Sequence, residues 1–280
     1  MSEHPTHIER REVLRPEPAL ALTRLLEVGE PDFDRDGLPL LWHWLYLLER
    51  PAQADLGTDG HPVRGVIPAP PEPGRRRMWA GGRATSLAPL RLGVLTTRRT
   101  EIVSSTDKSG RSGRLTFVVV RHTIEQDDSP VVVEEQDIVY RDAVAPSAPA
   151  PVEQVEDIGL EPGEWRLPID PALLFRFSAL TYNAHRIHYD RDYAREVEGY
   201  AGLVTHGPLQ AIAMAEAARE RGADRRVSID YRLVSPLLDH QGLVVSATAD
   251  GASWRTGARD LSGRATARGR VTRGGLVQPS

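Results

Sequence analysis

Residues able to do chemistry concentrate in one stretch, Phe177-Ser-Ala-Leu-Thr-Tyr-Asn-Ala-His-Arg-Ile-His-Tyr-Asp-Arg-Asp-Tyr-Ala194, which continues to Gly202-Leu-Val-Thr-His-Gly-Pro-Leu209. Asn183, His185, Arg186 and His188 gather polar groups between two helical segments, where a loop aims side chains into a cleft. Imidazole both accepts and returns a proton near neutral pH, so His185 and His188, three residues apart, are candidates for acid/base work. His206-Gly207-Pro208 opens a helix, and the free backbone N–H groups there can hold a developing oxyanion. Asp190 reads as a helix N-cap, with Asp192 in the first turn. Two histidines at this spacing without a clear third ligand make a poor zinc site, so no metal is expected.

The flanking elements must position these groups. Residues 207–222, rich in alanine, read as a long helix, with Pro208 suited to its first turn and Gly222 to its end. Asp170–Leu180 starts another. Strand-like runs follow at Val227–Leu233, Leu243–Asp250, Ser253–Arg259 and Leu261–Thr272, with Asp250-Gly251 as a hairpin signal. The first half has the same coarse order. A helical pattern at Pro18–Val28 and a segment apolar almost all round, Leu38–Glu49, precede strands at Arg83–Leu87, Thr96–Ser105, Leu115–Gln126 and Val131–Tyr140. Proline and glycine crowd residues 57–82, which read as a long irregular loop, and Asp107–Gly113 reads as a turn. Ala143–Val152, all small residues and proline, reads as an extended linker. The expected division is therefore a first unit over 1–146, a linker over 147–155 and a second unit over 156–280. The fold class is α+β, a helix wrapped by an antiparallel sheet, present twice.

Composition narrows the function. The 280 residues are 40% hydrophobic and 26% charged, ordinary for a folded domain or two. A formal net charge of −4 argues against a nucleic-acid binder. The absence of cysteine excludes disulfides, thiolate metal sites and cysteine nucleophiles, and Lys108 is the one lysine. No apolar run approaches the roughly 20 residues of a membrane helix, and the charged start is unlike a secretory signal, so a cytoplasmic protein without membrane contact is expected.

Phe177–Leu209 resembles the hydratase signature of the MaoC-like hot-dog dehydratases, F-x5-D-x-N-P-x-H-x-D-x2-Y-A followed by H-G. Phe177, His188, Asp190, Tyr193-Ala194 and His206-Gly207 match it. Asn183 stands at the aspartate position, and His185 and Arg186 stand at the Asn-Pro positions. The form T-Y-N-A-H-R-I-H-Y-D is similar to the branch containing hydroxyacyl-thioester dehydratase type 2 and 3-methylfumaryl-CoA (mesaconyl-CoA) hydratases. Pro39–Tyr46, Arg77–Arg83, Lys108–Gly113 and Glu134–Arg141 look like segments of that branch, so the resemblance spans residues 15–275.

The resemblance implies a double hot-dog, each half a long helix wrapped in a curved antiparallel sheet. The first half would be a degenerate, non-catalytic repeat shaping the acyl-CoA pocket, and a homodimer is the expectation. It implies reversible hydration of an enoyl-CoA, 3-methylfumaryl-CoA to citramalyl-CoA, with CoA as part of the substrate and no other cofactor. His188 would be the acid/base residue and Gly207 N–H the oxyanion donor. Asn183 cannot act as a base at neutral pH. Three readings stay open: His188 works alone with Asn183 orienting water, His185 takes the second role, or the site is inactive. A carboxylated acyl group needs a cation, with Arg186 first choice and Arg83 and Arg232 behind it. Tyr182, His206 and Trp79 complete the candidate pocket, and Glu135 and Asp137 are expected to approach it or to pair with Arg141. The competing functions are a dehydratase for monocarboxylic acyl-CoA or acyl carrier protein thioesters, a thioesterase, and a non-catalytic acyl-thioester-binding module.

Overall fold

Alternating burial along Gly113–Gln126 (β4) and Ser129–Asp142 (β5) marks strands with one face inward, paired antiparallel from Leu115↔Arg141 to Gln126↔Ser129. The computed structural model describes residues 7–65, 75–110, 113–142, 150–223 and 225–274. Ahead of that pair come β1 (His7–Val13), α1 (Pro16–Leu26), a single turn α2 (Phe33–Asp36), β2 (Arg75–Ser86) and β3 (Leu95–Gly110). After it come β6 (Glu164–Leu167), α3 (Pro171–Thr181), α4 (Gly207–Arg219), β7 (Val227–Leu233), β8 (Leu243–Asp250), β9 (Ser253–Arg259) and β10 (Ala265–Arg273).

Among the described residues ten strands form one antiparallel sheet in the order β1-β3-β4-β5-β2-β7-β10-β9-β8-β6. Read outward from the middle, each half repeats the same order, and the halves meet where Gly81–Thr85 pairs with Ser228–Arg232. This is the α+β double hot-dog arrangement. The join explains Gly81 and Gly82: a Cβ at Gly81 would lie 2.3 Å from the Tyr231 carbonyl oxygen, and one at Gly82 would lie 2.5 Å from that of Glu135.

In the second half α4 lies against β7–β10 and is buried nearly throughout. The first half departs from the expectation of a matching long helix. Its apolar segment is buried as expected, but only Trp42–Leu45 is helical, a single 3-10 turn between Leu41 and Leu47, both at positive φ. Side chains fasten it instead. Trp42 Nε1 donates to Glu216 on α4, while His43 and Trp44 bond Glu134 on β5. Among the described residues no helix packs along β3, β4 and β5. Their inner face, with Arg98, Thr100, His122, Gln136 and Ile138, borders a cleft of about 1700 Å³.

Other boundaries also moved. Residues 75–82, read as loop, are strand β2, and Asp107–Ser109, read as turn, belong to β3. Leu261–Gly263 precedes β10 as a turn held by the Asp260 carboxylate. Residues 66–74, 111–112 and 143–149 of the expected loop, turn and linker lie outside the described residues.

Candidate active site

Two short loops, one from each half, meet at the cleft. In the second half α3 is capped by Asp170, whose carboxylate accepts Leu173 N–H, and ends at Tyr182 in the left-handed conformation. Asn183 Oδ1 then accepts His185 N–H at 2.9 Å, an Asx turn that brings His185 to the cleft wall. In the first half Asp59 Oδ1 accepts His61 N–H at 2.9 Å in the same way. The turns dock backbone to backbone. Arg186 N–H donates to Asp59 O at 2.9 Å, and Gly60, at φ +88°, sits so close that a Cβ there would lie 1.8 Å from Ala184 O.

Docking lines up four imidazoles. The ring centroids of His61 and His185 are 4.0 Å apart, His185 and His188 meet edge-on at 5.4 Å, and His188 stacks on His206 at 3.6 Å. His188 Nδ1 donates to the Val204 carbonyl at 2.7 Å, which fixes its tautomer and leaves Nε2 as a lone pair. Ser178 Oγ bonds His206 Nε2 at 2.9 Å. Asp59 Oδ2 accepts His61 Nδ1–H at 2.9 Å. Burial keeps all four rings neutral: it lowers His61 and His188 to about 4, with Arg77 adding to the depression at His61, and holds His185 and His206 well below the usual value. Asp59 stays ionised because His61 bonds it, against the pull of burial. Gly207 begins α4 on the cleft wall, and its N–H donates to no group among the described residues.

The description hydroxyacyl-thioester dehydratase type 2 matches residues 41–239, which includes both loops. The chain belongs to this family. It is 49% identical over 226 residues, 79% of either chain, to the mesaconyl-C(4)-CoA hydratase of Chloroflexus aurantiacus. The MaoC-like dehydratase of Phytophthora capsici superposes with a TM-score of 0.68 at 15% identity, covering 97% of this chain and 95% of that one. A Mycobacterium tuberculosis protein described as a double hot-dog superposes at 0.52 with 14% identity and 97% coverage of both. Membership makes the chain a hydro-lyase. Among the described residues no helix is long and apolar enough to cross a membrane.

Within this dehydratase the expected residues separate. Asn183, His185, His188, Gly207, Tyr182 and Trp79 line the cleft, Trp79 Nε1 being anchored on Tyr231 Oη. His206 is fully buried behind His188, which makes it a support for that ring. Arg186 turns outward. Its guanidinium is shared between Asp190 and the Thr58 carbonyl and lies over the Tyr193 ring. Asp190 also caps the Tyr193 N–H, as expected. Arg83 is committed to Glu135, which pairs also with Arg121 and not with Arg141, and Arg232 is exposed on β7. Asp59, His61 and Arg77 were not anticipated. All three lie in the proline- and glycine-rich stretch, where one signal was available: Asp59-Gly-His61 repeats the spacing of Asn183-Ala-His185. Ligand atoms of Asp59, His61 and His185 lie within 4.8 Å of one another, a spacing a metal ion can use. The existing Asp59–His61 hydrogen bond and the adjoining Arg77 cation suit proton chemistry better.

Proposed function

We propose that this protein hydrates the double bond of an enoyl-CoA whose β-carbon carries a free carboxylate, converting 3-methylfumaryl-CoA to citramalyl-CoA without metal or redox cofactor. The observation that carries the reading is the pairing, on one cleft, of an unprotonated His188 Nε2 with the free Gly207 N–H at a helix start. Gly207 N–H polarises the thioester carbonyl and receives the negative charge that reaches its oxygen as the hydroxyl adds to the β-carbon. His188 Nε2 accepts a hydrogen bond from the attacking water. Asn183, with its oxygen engaged by His185 N–H, shapes the loop. His188 is buried, and the low polarity around it strengthens such a hydrogen bond.

The carboxylate sits one bond from the carbon that takes the hydroxyl, so its cation must border the histidines. Arg77 meets that requirement. It lines the cleft on β2, bears on both His61 and His185, and has the Tyr140 hydroxyl as its polar neighbour. The likeness to the Chloroflexus hydratase supports the same substrate. The test is loss of the ultraviolet enoyl-thioester band with 3-methylfumaryl-CoA and with crotonyl-CoA, using wild type and His188→Ala. Turnover of the branched diacid alone, abolished in the variant, supports the reading. Turnover of crotonyl-CoA alone moves the protein to monocarboxylic thioesters, and release of free CoA moves it to hydrolysis.

A further inference from the structure

Hydration needs a base for the water proton, and among the described residues of the second half no carboxylate is hydrogen-bonded to His185, His188 or His206, Glu198 on the cleft wall being paired with Arg76. Asn183 stands where the signature has aspartate, and Asp190 is spent on capping and on Arg186. We propose that His61 of the first half is the catalytic base and Asp59 its positioning residue, a carboxylate–histidine dyad delivered across the domain junction; the proposal rests on the hydratase reading above.

Charge decides among the four imidazoles. Whichever ring takes the proton becomes a cation in a buried site, and such a cation requires a counter-charge. His188 has a neutral carbonyl behind it and His206 a serine hydroxyl, and His185 is hydrogen-bonded to no carboxylate, since the Asp59 carboxylate within 4.8 Å of it is bonded to His61. His61 alone in the cluster is bonded to a carboxylate. Asp59 holds it twice, through the backbone N–H and through Nδ1–H, so the proton sits on Nδ1 and Nε2 keeps a lone pair on a ring fixed against His185. The loop is locked to its partner by the Asp59 O–Arg186 N–H bond and by the close approach of Gly60 to Ala184. Both loops border the same cleft.

The step balances on one water. His61 Nε2 takes a proton from the water as its oxygen bonds the β-carbon. The π pair moves to the α-carbon and thioester oxygen, where Gly207 N–H meets the charge. The imidazolium, facing Asp59, then returns the same proton to the α-carbon, so that one H and one OH have been added and the base is regenerated. The charged and titratable groups facing His61 are Asp59 on its own loop, Arg77 on β2, and His185 and His188 from the opposite loop.

The experiment uses the full chain with 3-methylfumaryl-CoA and crotonyl-CoA, comparing wild type, His61→Gln, Asp59→Asn, Asp59→Glu and His188→Ala, with thermal melting of each. His61→Gln is expected to lower kcat by about 10²–10⁴-fold with KM within about threefold. An amide at residue 59 donates to Nδ1 and turns the ring tautomer over, so Asp59→Asn is expected to lose kcat and move the acid limb of kcat/KM to lower pH, with partial recovery in Asp59→Glu. A merely structural role scales the profile without moving it and overturns the dyad. So does a His61→Gln variant whose kcat stays within about fivefold of wild type while His188→Ala is inactive. If His61→Gln does not fold, the Asp59→Asn profile decides. A wild type inert on both thioesters overturns the hydratase reading itself, a result distinct from an active wild type with an indifferent His61.

Discussion

Replacing Gly60 by alanine separates the two loops without touching any group that does chemistry. The added Cβ would lie 1.8 Å from Ala184 O, whereas ordinary contacts start near 3.4 Å, so the gap must open by 3.4 − 1.8, about 1.6 Å. Side-chain rotation cannot relieve it, because the obstacle is backbone, and the φ of +88° adds strain of about 1–3 kcal/mol for a residue with a Cβ. An opening of that size breaks the 2.9 Å Asp59 O–Arg186 N–H bond and withdraws His61 from His185. Misplacement by an ångström or more costs on the order of 10²-fold in rate. Gly60→Ala is therefore expected to lower kcat about 100-fold in the enoyl-thioester assay. Its urea midpoint should fall by no more than the strain and one hydrogen bond warrant. Gly159→Ala, at φ +81° and with nothing within 4 Å of its Cβ, is the matched control. A Gly60→Ala enzyme within threefold of wild type would show that the junction of the loops does not organise the reaction.

The remaining expectations concern charge. Arg77→Gln should raise KM for 3-methylfumaryl-CoA by about 10–100-fold, the worth of a hydrogen bond to a charged group, while leaving KM for crotonyl-CoA within about threefold; an equal rise in KM for both thioesters would remove Arg77 as the carboxylate partner. Arg186→Ala should leave KM within about threefold, because the guanidinium already faces Asp190 and Thr58, and a tenfold rise would restore it as the anchor. Stability should fall on acidification. His122 and His188 are held near 4 by burial, so between the usual 6.5 and 4 the unfolded chain binds protons that the native one does not. Each ring then contributes a loss of about 1.4 kcal/mol per unit of falling pH. Glu134 is depressed to about 2 by His43, His122 and Gln136 against its own desolvation, so its contribution is present above 4.5 and is lost between 4.5 and 2. Urea denaturation at pH 7.5 and 5.0 checks the histidine part; an equal or higher midpoint at pH 5.0 would refute it.

What could be read from the sequence was local. Asp170, Asp190 and Pro208 act within a turn of themselves, and each does as its position implies. Gly251, at φ +63°, closes the Asp250–Ser253 hairpin. The errors share a cause, which is that a partner distant in the chain decides. β1, HIERREV, pairs along β3 with charges on its outward face and so carries no apolar run to betray it. β2 begins with three arginines and contains two glycines, features of a loop until β5 and β7 close on either side of it. Arg186 replaces the proline of the signature beside the site, yet Asp190 four residues on claims it. Asp59 and His61 sit in a stretch whose composition says turn, and only contact with the second half gives them a task.

The room beside the first half's sheet can be weighed as a volume. A helix like α4, 13 residues long at 1.5 Å per residue and about 10 Å across, fills roughly 1500 Å³. The cleft is about 1700 Å³ and is walled by both halves, with part of its floor on β3, β4 and β5. The room the two halves leave for a ligand is thus of the order of one such helix. The sheet bears on this as well, since Arg98, Thr100, His122 and Gln136 border the cleft beside the buried Val118, Val120, Ile138 and Tyr140. Restoring a helical sequence over residues 38–49 would therefore not rebuild the repeat. A helix laid over that floor would have to cover Arg98, His122 and Gln136 as well as the apolar side chains beside them.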